Sequence, residues 1–166
     1  GAIVVRGVTM NAGRFVEPGC VENLIDGKTW LGPARGNVDD IRPLGDLLNA
    51  AGMPAEIVAD PMGAVWSKFV FNCVMNPLGA LMRGDNAARH TSPEMRALVD
   101  DMAAECMTVV HMLGGRFAFP PMDFVEKIRT GALPMSSHAG SMALDIARGE
   151  LTEIDDLTGF IVVNGE

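Results

Sequence analysis

The sequence changes character at Asp60, and this change limits the folds that the chain can adopt. Before Asp60, glycines and short apolar runs predict strands and tight turns. After it, Asp60-Pro61 opens an apolar segment that reaches Met82, and Ser92-Pro93 opens a second one that ends at Gly114-Gly115. A capping residue followed by proline is typical of a helix N-terminus. We therefore expect a mainly α protein, with a β-rich part over residues 1–60 and an all-helical part over 61–166.

The first 60 residues predict a few short elements. Val21–Leu24 and Thr29–Leu31 flank Asp26-Gly27, a pair that favours the positive φ angles of a hairpin turn. Apolar residues at helical spacing over 41–48 predict one short helix, and residues 55–59 predict a further strand. Two or three strands and one helix do not complete an α/β domain, so we interpret this part as the β-rich end of a Rossmann-type nucleotide-binding domain.

Three shorter helices are expected after Gly115. They run from Pro120 to Ile128, from Ser137 to Arg148 and from Thr152 to Val163, and Thr152-x-x-Asp155 resembles a capping box at the start of the last one.

Composition excludes several classes of protein. The formal net charge is −8, and no compact run of Lys or Arg offsets it, so binding to nucleic acid or to an anionic membrane is not expected. The apolar runs are much shorter than the roughly 20 residues of a membrane span. The three cysteines have no C-x-x-C spacing. They favour a reducing compartment, and we expect a cytoplasmic protein.

Two polar clusters are candidates for a functional site. Lys68, Asn72 and Asn76 are spaced i, i+4 and i+8, which places them along one stripe of the first long helix. Ser141 lies near the start of a later helix, and Glu153 lies near the start of the next. Each cluster also has an ordinary explanation. The stripe is equally typical of the solvent face of an amphipathic helix, and acids are common in a first helical turn.

Other chemistry is not indicated. His90, His111 and His138 are far apart with no carboxylate at ligand spacing, so we expect no metal site. The sequence contains no G-x-G-x-x-G, no G-x-x-x-x-G-K and no G-x-S-x-G, and so carries no known phosphate-binding turn or nucleophile elbow.

Read together, these stretches resemble the two signature regions of ketopantoate reductases (2-dehydropantoate 2-reductases). The first comprises Trp66-Ser67-Lys68 with Phe71–Leu78, and the second comprises Ser141-Met142, Asp145 and Thr152–Asp155 before Gly159. The resemblance covers nearly the whole chain and corresponds to the second half of such an enzyme. It implies reduction of 2-dehydropantoate to (R)-pantoate with NADPH, a step toward pantothenate and coenzyme A.

The resemblance also implies roles for individual residues. Lys68 would be the general acid, Glu153 would orient the cofactor and the substrate hydroxyl, and Gly13 would lie against the cofactor. The small 2-oxo acid substrate would be held by polar side chains at Asn72, Asn76, Asn86 and Ser141.

Departures from the family pattern keep other interpretations open. Gly140 stands where the family often has Ser, and His138 stands where Asn is common. The chain could therefore serve a reductase that acts on another 2-oxo acid. Because the nucleotide fingerprint is absent, the chain could also be a helical binding or dimerisation module that is inactive by itself. The sequence does not determine the oligomeric state, because the apolar helices from Pro93 and Thr152 could form a homodimer through the helical part as easily as they could pack into their own core.

Overall fold

The structure, a computed structural model, describes residues 2–83, 87–135 and 140–166. The chain divides into two compact units, Gly1–Val65 and Trp66–Glu166. Over the described residues it is mainly α-helical, as the sequence predicts. Asn86 and His138 lie outside the described residues.

The first unit carries the strands. They are β1 (Val4–Thr9), β2 (Ala12–Glu17), β3 (Cys20–Ile25), β4 (Thr29–Arg35) and β5 (Ala55–Ile57), with helix α1 (Val38–Ala50) between the last two. One sheet has the order β1-β4-β5, in which β4 is antiparallel to β1 and parallel to β5. The β4–α1–β5 connection is thus a βαβ crossover, the unit from which α/β sheets are built.

The hairpin predicted at Asp26-Gly27 is wrong. Strand β3 pairs with β2 in a separate two-stranded sheet, and the turn between them is Pro18-Gly19, where Gly19 has a φ of +83°. Glycine at position 27 lets its backbone lie close to that of Met10, because an added Cβ would be 2.2 Å from the carbonyl carbon of Met10. The Gly27 N–H donates to Asn11 Oδ1 at 2.6 Å. The residues after Asp26 therefore lead from one sheet to the other.

The second unit carries the helices, and α2 begins just before it. The elements are α2 (Met62–Leu81), α3 (Ala88–Thr91), α4 (Pro93–Met112), α5 (Asp123–Arg129), α6 (Ser141–Arg148), a π-helical segment (Asp155–Gly159) and α7 (Phe160–Gly165). None of the helices over the described residues is long and apolar enough to cross a bilayer.

Both predicted caps of the long helices are confirmed. Asp60 Oδ1 accepts the N–H of Met62 at 2.9 Å, and Ser92 Oγ accepts the N–H of Met95 at 3.4 Å. Each contact satisfies one of the backbone donors that a helix leaves unpaired at its N-terminus.

The core of the second unit lies between α2 and α4, with contributions from α5, α6 and the last helical stretch. On α4, helical spacing predicts one apolar face with Leu98, Met102, Cys106 and Val109. Cys106 and Val109 are buried, but Leu98 is 43% exposed and its neighbour Val99 is fully buried. Apolar residues flank the stripe on both sides, so spacing alone does not fix its centre. The buried residues of α2 and α4 are Val70, Cys73, Val74, Met75, Leu78, Val99, Ala103, Cys106, Val109 and Val110.

The last helical stretch differs from its prediction. It begins at Asp155, so Thr152 lies outside it and the predicted capping box is not formed. Its first part is wider than an α-helix, because the N–H of Gly159 donates to the carbonyl of Ile154 at 2.9 Å, five residues back. Helix α6 begins at Ser141, and the predicted start at Ser137 is outside the described residues.

Candidate functional site

The polar stripe of α2 is not a solvent-exposed face. Asn76 is only 8% exposed, and Lys68 and Asn72 are half-buried. Successive turns of α2 space the three side chains over about 12 Å along one side of the helix. The structure therefore holds an ammonium and two amides at a mostly desolvated surface, where polar groups need partners.

The Glu153 carboxylate acts electrostatically on Lys68, although the two residues are far apart in the sequence. Burial lowers the pKa of Lys68 below that of an ordinary lysine, and the nearby Glu153 carboxylate raises it again in part. Glu153 precedes the π-helical segment, whose first-turn acids are Asp155 and Asp156. Glu153 is thus not one of the ordinary first-turn acids.

The N-terminus of α6 approaches the same stripe. A Cβ added at Gly140 would lie 3.9 Å from Asn76 Oδ1, so Gly140 contacts the region of the Asn76 amide without placing a side chain there. Gly140 has a φ of +91°, a conformation that favours glycine. Ser141 follows as the first residue of α6 and is exposed. The free N–H groups of this helix end favour a negatively charged ligand group.

A hydrogen bond that the sequence does not predict ties the last helical stretch to α2. Pro77 has no N–H, so the carbonyl of Cys73, four residues earlier, has no donor within the helix. Thr158 Oγ1 donates to this carbonyl at 3.2 Å. The proline is a signal that some outside donor is needed, but nothing in the sequence identifies Thr158 as that donor.

Ser67, beside Lys68, also has a structural role that the sequence leaves unidentified. Its hydroxyl donates to the carbonyl of Phe119 at 2.8 Å and accepts the N–H of the same residue at 3.3 Å. The side chain is fully buried. Ser67 therefore fixes the segment before α5 to α2 at the turn that carries Lys68.

The first unit gives little support for a nucleotide site of its own. Gly13 lies in β2, where an added Cβ would be 3.0 Å from Val21 Cγ1 and 3.3 Å from the carbonyl oxygen of Glu22. Packing within the hairpin thus accounts for this glycine. The sequence contains no G-x-G-x-x-G, and the cofactor role of Gly13 stays a prediction.

No metal centre is found over residues 2–83, 87–135 and 140–166, since no three His, Cys, Asp or Glu side chains are grouped there so as to hold an ion.

Comparison with known proteins places the site in context. Residues 60–166 match the family model described as "Ketopantoate reductase PanE/ApbA C terminal". The 2-dehydropantoate 2-reductase of Archaeoglobus fulgidus is 30% identical over 164 residues, which are 98% of this chain and 54% of that protein. The chain therefore spans about half the length of the curated relatives that it matches.

Solved structures agree with this assignment of the fold. A PanE/ApbA family ketopantoate reductase from Ralstonia eutropha is 28% identical, with a TM-score of 0.73 over 97% of this chain and 52% of the other. D-mandelate dehydrogenase, solved with NADH and anilino(oxo)acetate, is 22% identical, with a TM-score of 0.80 over 97% of this chain and 53% of the other, and shares the fold.

Proposed function

This chain belongs to the ketopantoate reductase family, and we propose that the natural protein carrying it reduces the ketone of 2-dehydropantoate to (R)-pantoate. The observation that carries the proposal is the desolvated Lys68 ammonium in the field of Glu153, on the same helix face as two amides. A ketone reductase needs such an acid, because the carbonyl oxygen gains negative charge as hydride reaches the carbon.

Lys68 would donate the proton to the substrate. Its ammonium hydrogen-bonds the ketone oxygen, stabilises the developing alkoxide and then transfers a proton to it. Burial lowers the pKa of Lys68, which makes the ammonium a stronger acid, while the Glu153 carboxylate limits that decrease. NADPH would supply the hydride. Its binding would depend mainly on residues other than those described in this chain, and the cofactor roles of Gly13 and Glu153 are each proposed on the resemblance alone.

The remaining side chains would orient the substrate. Asn72 and Asn76 offer amide donors and acceptors for its hydroxyl and carboxylate, and Ser141 adds a hydroxyl at the N-terminus of α6, where an anion is favoured. Asn86 is proposed as a further contact on the resemblance alone. Holding the ketone in one orientation lowers the entropic part of the barrier.

Substitution of Lys68 by methionine tests the proposed acid. In the natural protein at full length, Lys68→Met should lower kcat on 2-dehydropantoate by about 10²–10⁴-fold, the range typical of a lost general acid. The Kd for NADPH, measured by nucleotide fluorescence, should change little. Lys127→Met is the matched control, since Lys127 is an exposed lysine paired with Asp123 on α5. Near-normal turnover of Lys68→Met would refute this role of Lys68.

A second candidate function is the reduction of a different 2-oxo acid. The observation in its favour is Gly140, which places no side chain of its own near the Asn76 amide. A panel of branched, straight-chain and aromatic 2-oxo acids should be compared by kcat/KM. A higher value for any other acid than for 2-dehydropantoate would favour this candidate.

A further inference from the structure

Two departures from regular α-helix geometry meet at one hydrogen bond. On α2, Pro77 leaves the Cys73 carbonyl without a donor from its own helix. In the last helical stretch, the π-helical segment Asp155–Gly159 carries Thr158, whose hydroxyl donates to that carbonyl at 3.2 Å. Cys73 has no exposed surface, so water does not reach this carbonyl, and Thr158 satisfies a group that would otherwise be buried without a partner.

The same segment determines where Glu153 lies. The carbonyl of Glu153 accepts the N–H of Leu157 at 3.0 Å, and the carbonyl of Ile154 accepts the N–H of Gly159 at 2.9 Å. Leu157 is buried in the core, while Glu153 itself is exposed. One hydrogen-bonded turn therefore links the backbone of Glu153 to Leu157, and the next residue, Thr158, is bonded to α2.

We propose that Thr158 is a positioning residue, which fixes the place of Glu153 relative to Lys68 by anchoring the π-helical segment to the carbonyl that Pro77 leaves free on α2. This inference rests on the proposed role of Lys68 as the acid. Glu153 is a charged side chain whose field acts on Lys68. If the anchor is loosened, the carboxylate can move away. Burial then lowers the pKa of Lys68 further, because less negative charge opposes it.

The experiment uses the natural protein at full length and three variants. Thr158→Val removes the hydroxyl and keeps the shape of the side chain. Thr158→Ser keeps the hydroxyl and so should behave like the wild type. Thr108→Val is the matched control, because the exposed Thr108 hydroxyl donates to the carbonyl of Ala104 within its own helix, at 2.8 Å.

The pH dependence of kcat on 2-dehydropantoate is the first readout. Thr158→Val should move the alkaline limb of the profile to lower pH, so that kcat falls at least about threefold more on that limb than at pH 7, with KM little changed. Thr158→Ser and Thr108→Val should keep the limb where the wild type has it. An equal loss at every pH, or an unmoved limb in a folded Thr158→Val, would overturn the proposal.

A second variant keeps the test valid if Thr158→Val does not fold. In Pro77→Ala, residue 77 regains an N–H and can bond the Cys73 carbonyl within α2, so the double variant Pro77→Ala/Thr158→Val no longer buries an unpaired carbonyl. It should fold and still show the moved limb, since the anchor is lost. Wild-type behaviour of the double variant would mean that Thr158 serves only to satisfy the carbonyl.

A titration without turnover separates this inference from the proposed function. Lysine labelled with ¹³C at Cε gives NMR signals whose shifts follow protonation, and Lys68→Arg identifies the Lys68 signal. If Thr158→Val lowers the pKa of Lys68 and Thr158→Ser does not, Thr158 is a positioning residue even in a protein that proves inactive on 2-oxo acids. If the wild type is active and the Lys68 titration is the same in all variants, the function stands and the positioning role is refuted.

Discussion

At position 68 the chain carries an ammonium group whose surroundings remove much of its water. Burial lowers the pKa of Lys68, and of the charged side chains described, Glu153 opposes this effect. A general acid must be protonated to act. We therefore expect the alkaline limb of the pH–kcat profile to fall below the pKa of about 10.4 that a free lysine side chain has.

Glu153→Gln should move that limb further in the same direction. The substitution removes the negative charge that raises the pKa of Lys68, so the ammonium loses its proton at lower pH. The profile of kcat against pH, measured with saturating 2-dehydropantoate, gives the comparison. Asp155→Asn is the matched control, because it removes one carboxylate from the same stretch without a comparable effect on Lys68. A limb that moves toward higher pH in Glu153→Gln would contradict the assigned sign.

The state of the three cysteines can be predicted from the sequence, but their surroundings cannot. Free thiols are expected from the spacing, and Cys20, Cys73 and Cys106 are indeed free. Sequence does not show that Cys73 and Cys106 face each other in the core. The hydrogen bond between their side chains, together with burial, raises the pKa of the Cys73 thiol above its ordinary value, so this thiol stays protonated.

At the scale of elements, local signals predict helix starts better than strand partners. Asp60 and Ser92 cap α2 and α4 through contacts within one turn, so the residues that determine each start are adjacent in the sequence. Strand pairing depends on distant residues. An Asp-Gly pair beside two apolar runs is compatible with a hairpin turn and also with a passage between two sheets, and only the position of Met10 distinguishes them here.

Asparagine substitutions at two glycines test whether the hairpin turn is at Pro18-Gly19 rather than at Asp26-Gly27. Gly19 lies in a left-handed turn with open space around it, so Gly19→Asn should change the free energy of unfolding by less than about 1 kcal/mol. Gly27→Asn should cost more, about 1–3 kcal/mol, because any Cβ there overlaps the Met10 backbone. Urea unfolding measures both. Equal tolerance at the two positions would support the hairpin at Asp26-Gly27 instead.

The candidate site likewise has a part that local sequence predicts and a part that depends on residues far apart in the sequence. The stripe of Lys68, Asn72 and Asn76 follows from helix periodicity, and its residues are visible in the sequence. The approach of Glu153, Gly140 and Thr158 to that stripe depends on tertiary packing, which spacing does not encode. Resemblance to a family supplies the pairing of the two stretches, but it gives no indication of the Thr158–Cys73 contact.

At the scale of the whole molecule, the two units differ in how much core they contain. The main hydrophobic cluster is confined to residues 66–166, whereas the first unit buries few large side chains, among them Leu31 and Ile41. Most ion pairs join exposed side chains and add little stability. The stability of the chain therefore depends mainly on the helical unit.

Truncation checks this difference. A fragment of residues 59–166, which keeps the Asp60 cap, should retain helical circular dichroism and unfold cooperatively in urea. A fragment of residues 1–58 should show no cooperative transition, because it has too small a core to offset its conformational entropy. The result would contradict the expectation if the first fragment were unfolded or the second unfolded cooperatively.

The buried ammonium of Lys68 also has a cost for the fold. Because its pKa is lower in the folded chain than in the unfolded one, the charged form disfavours folding at every pH below the folded pKa, and this penalty fades as pH rises toward the unfolded value. A chain selected for stability alone would place an apolar side chain such as methionine at position 68. The lysine is thus an instance of activity and stability making opposite demands on one residue.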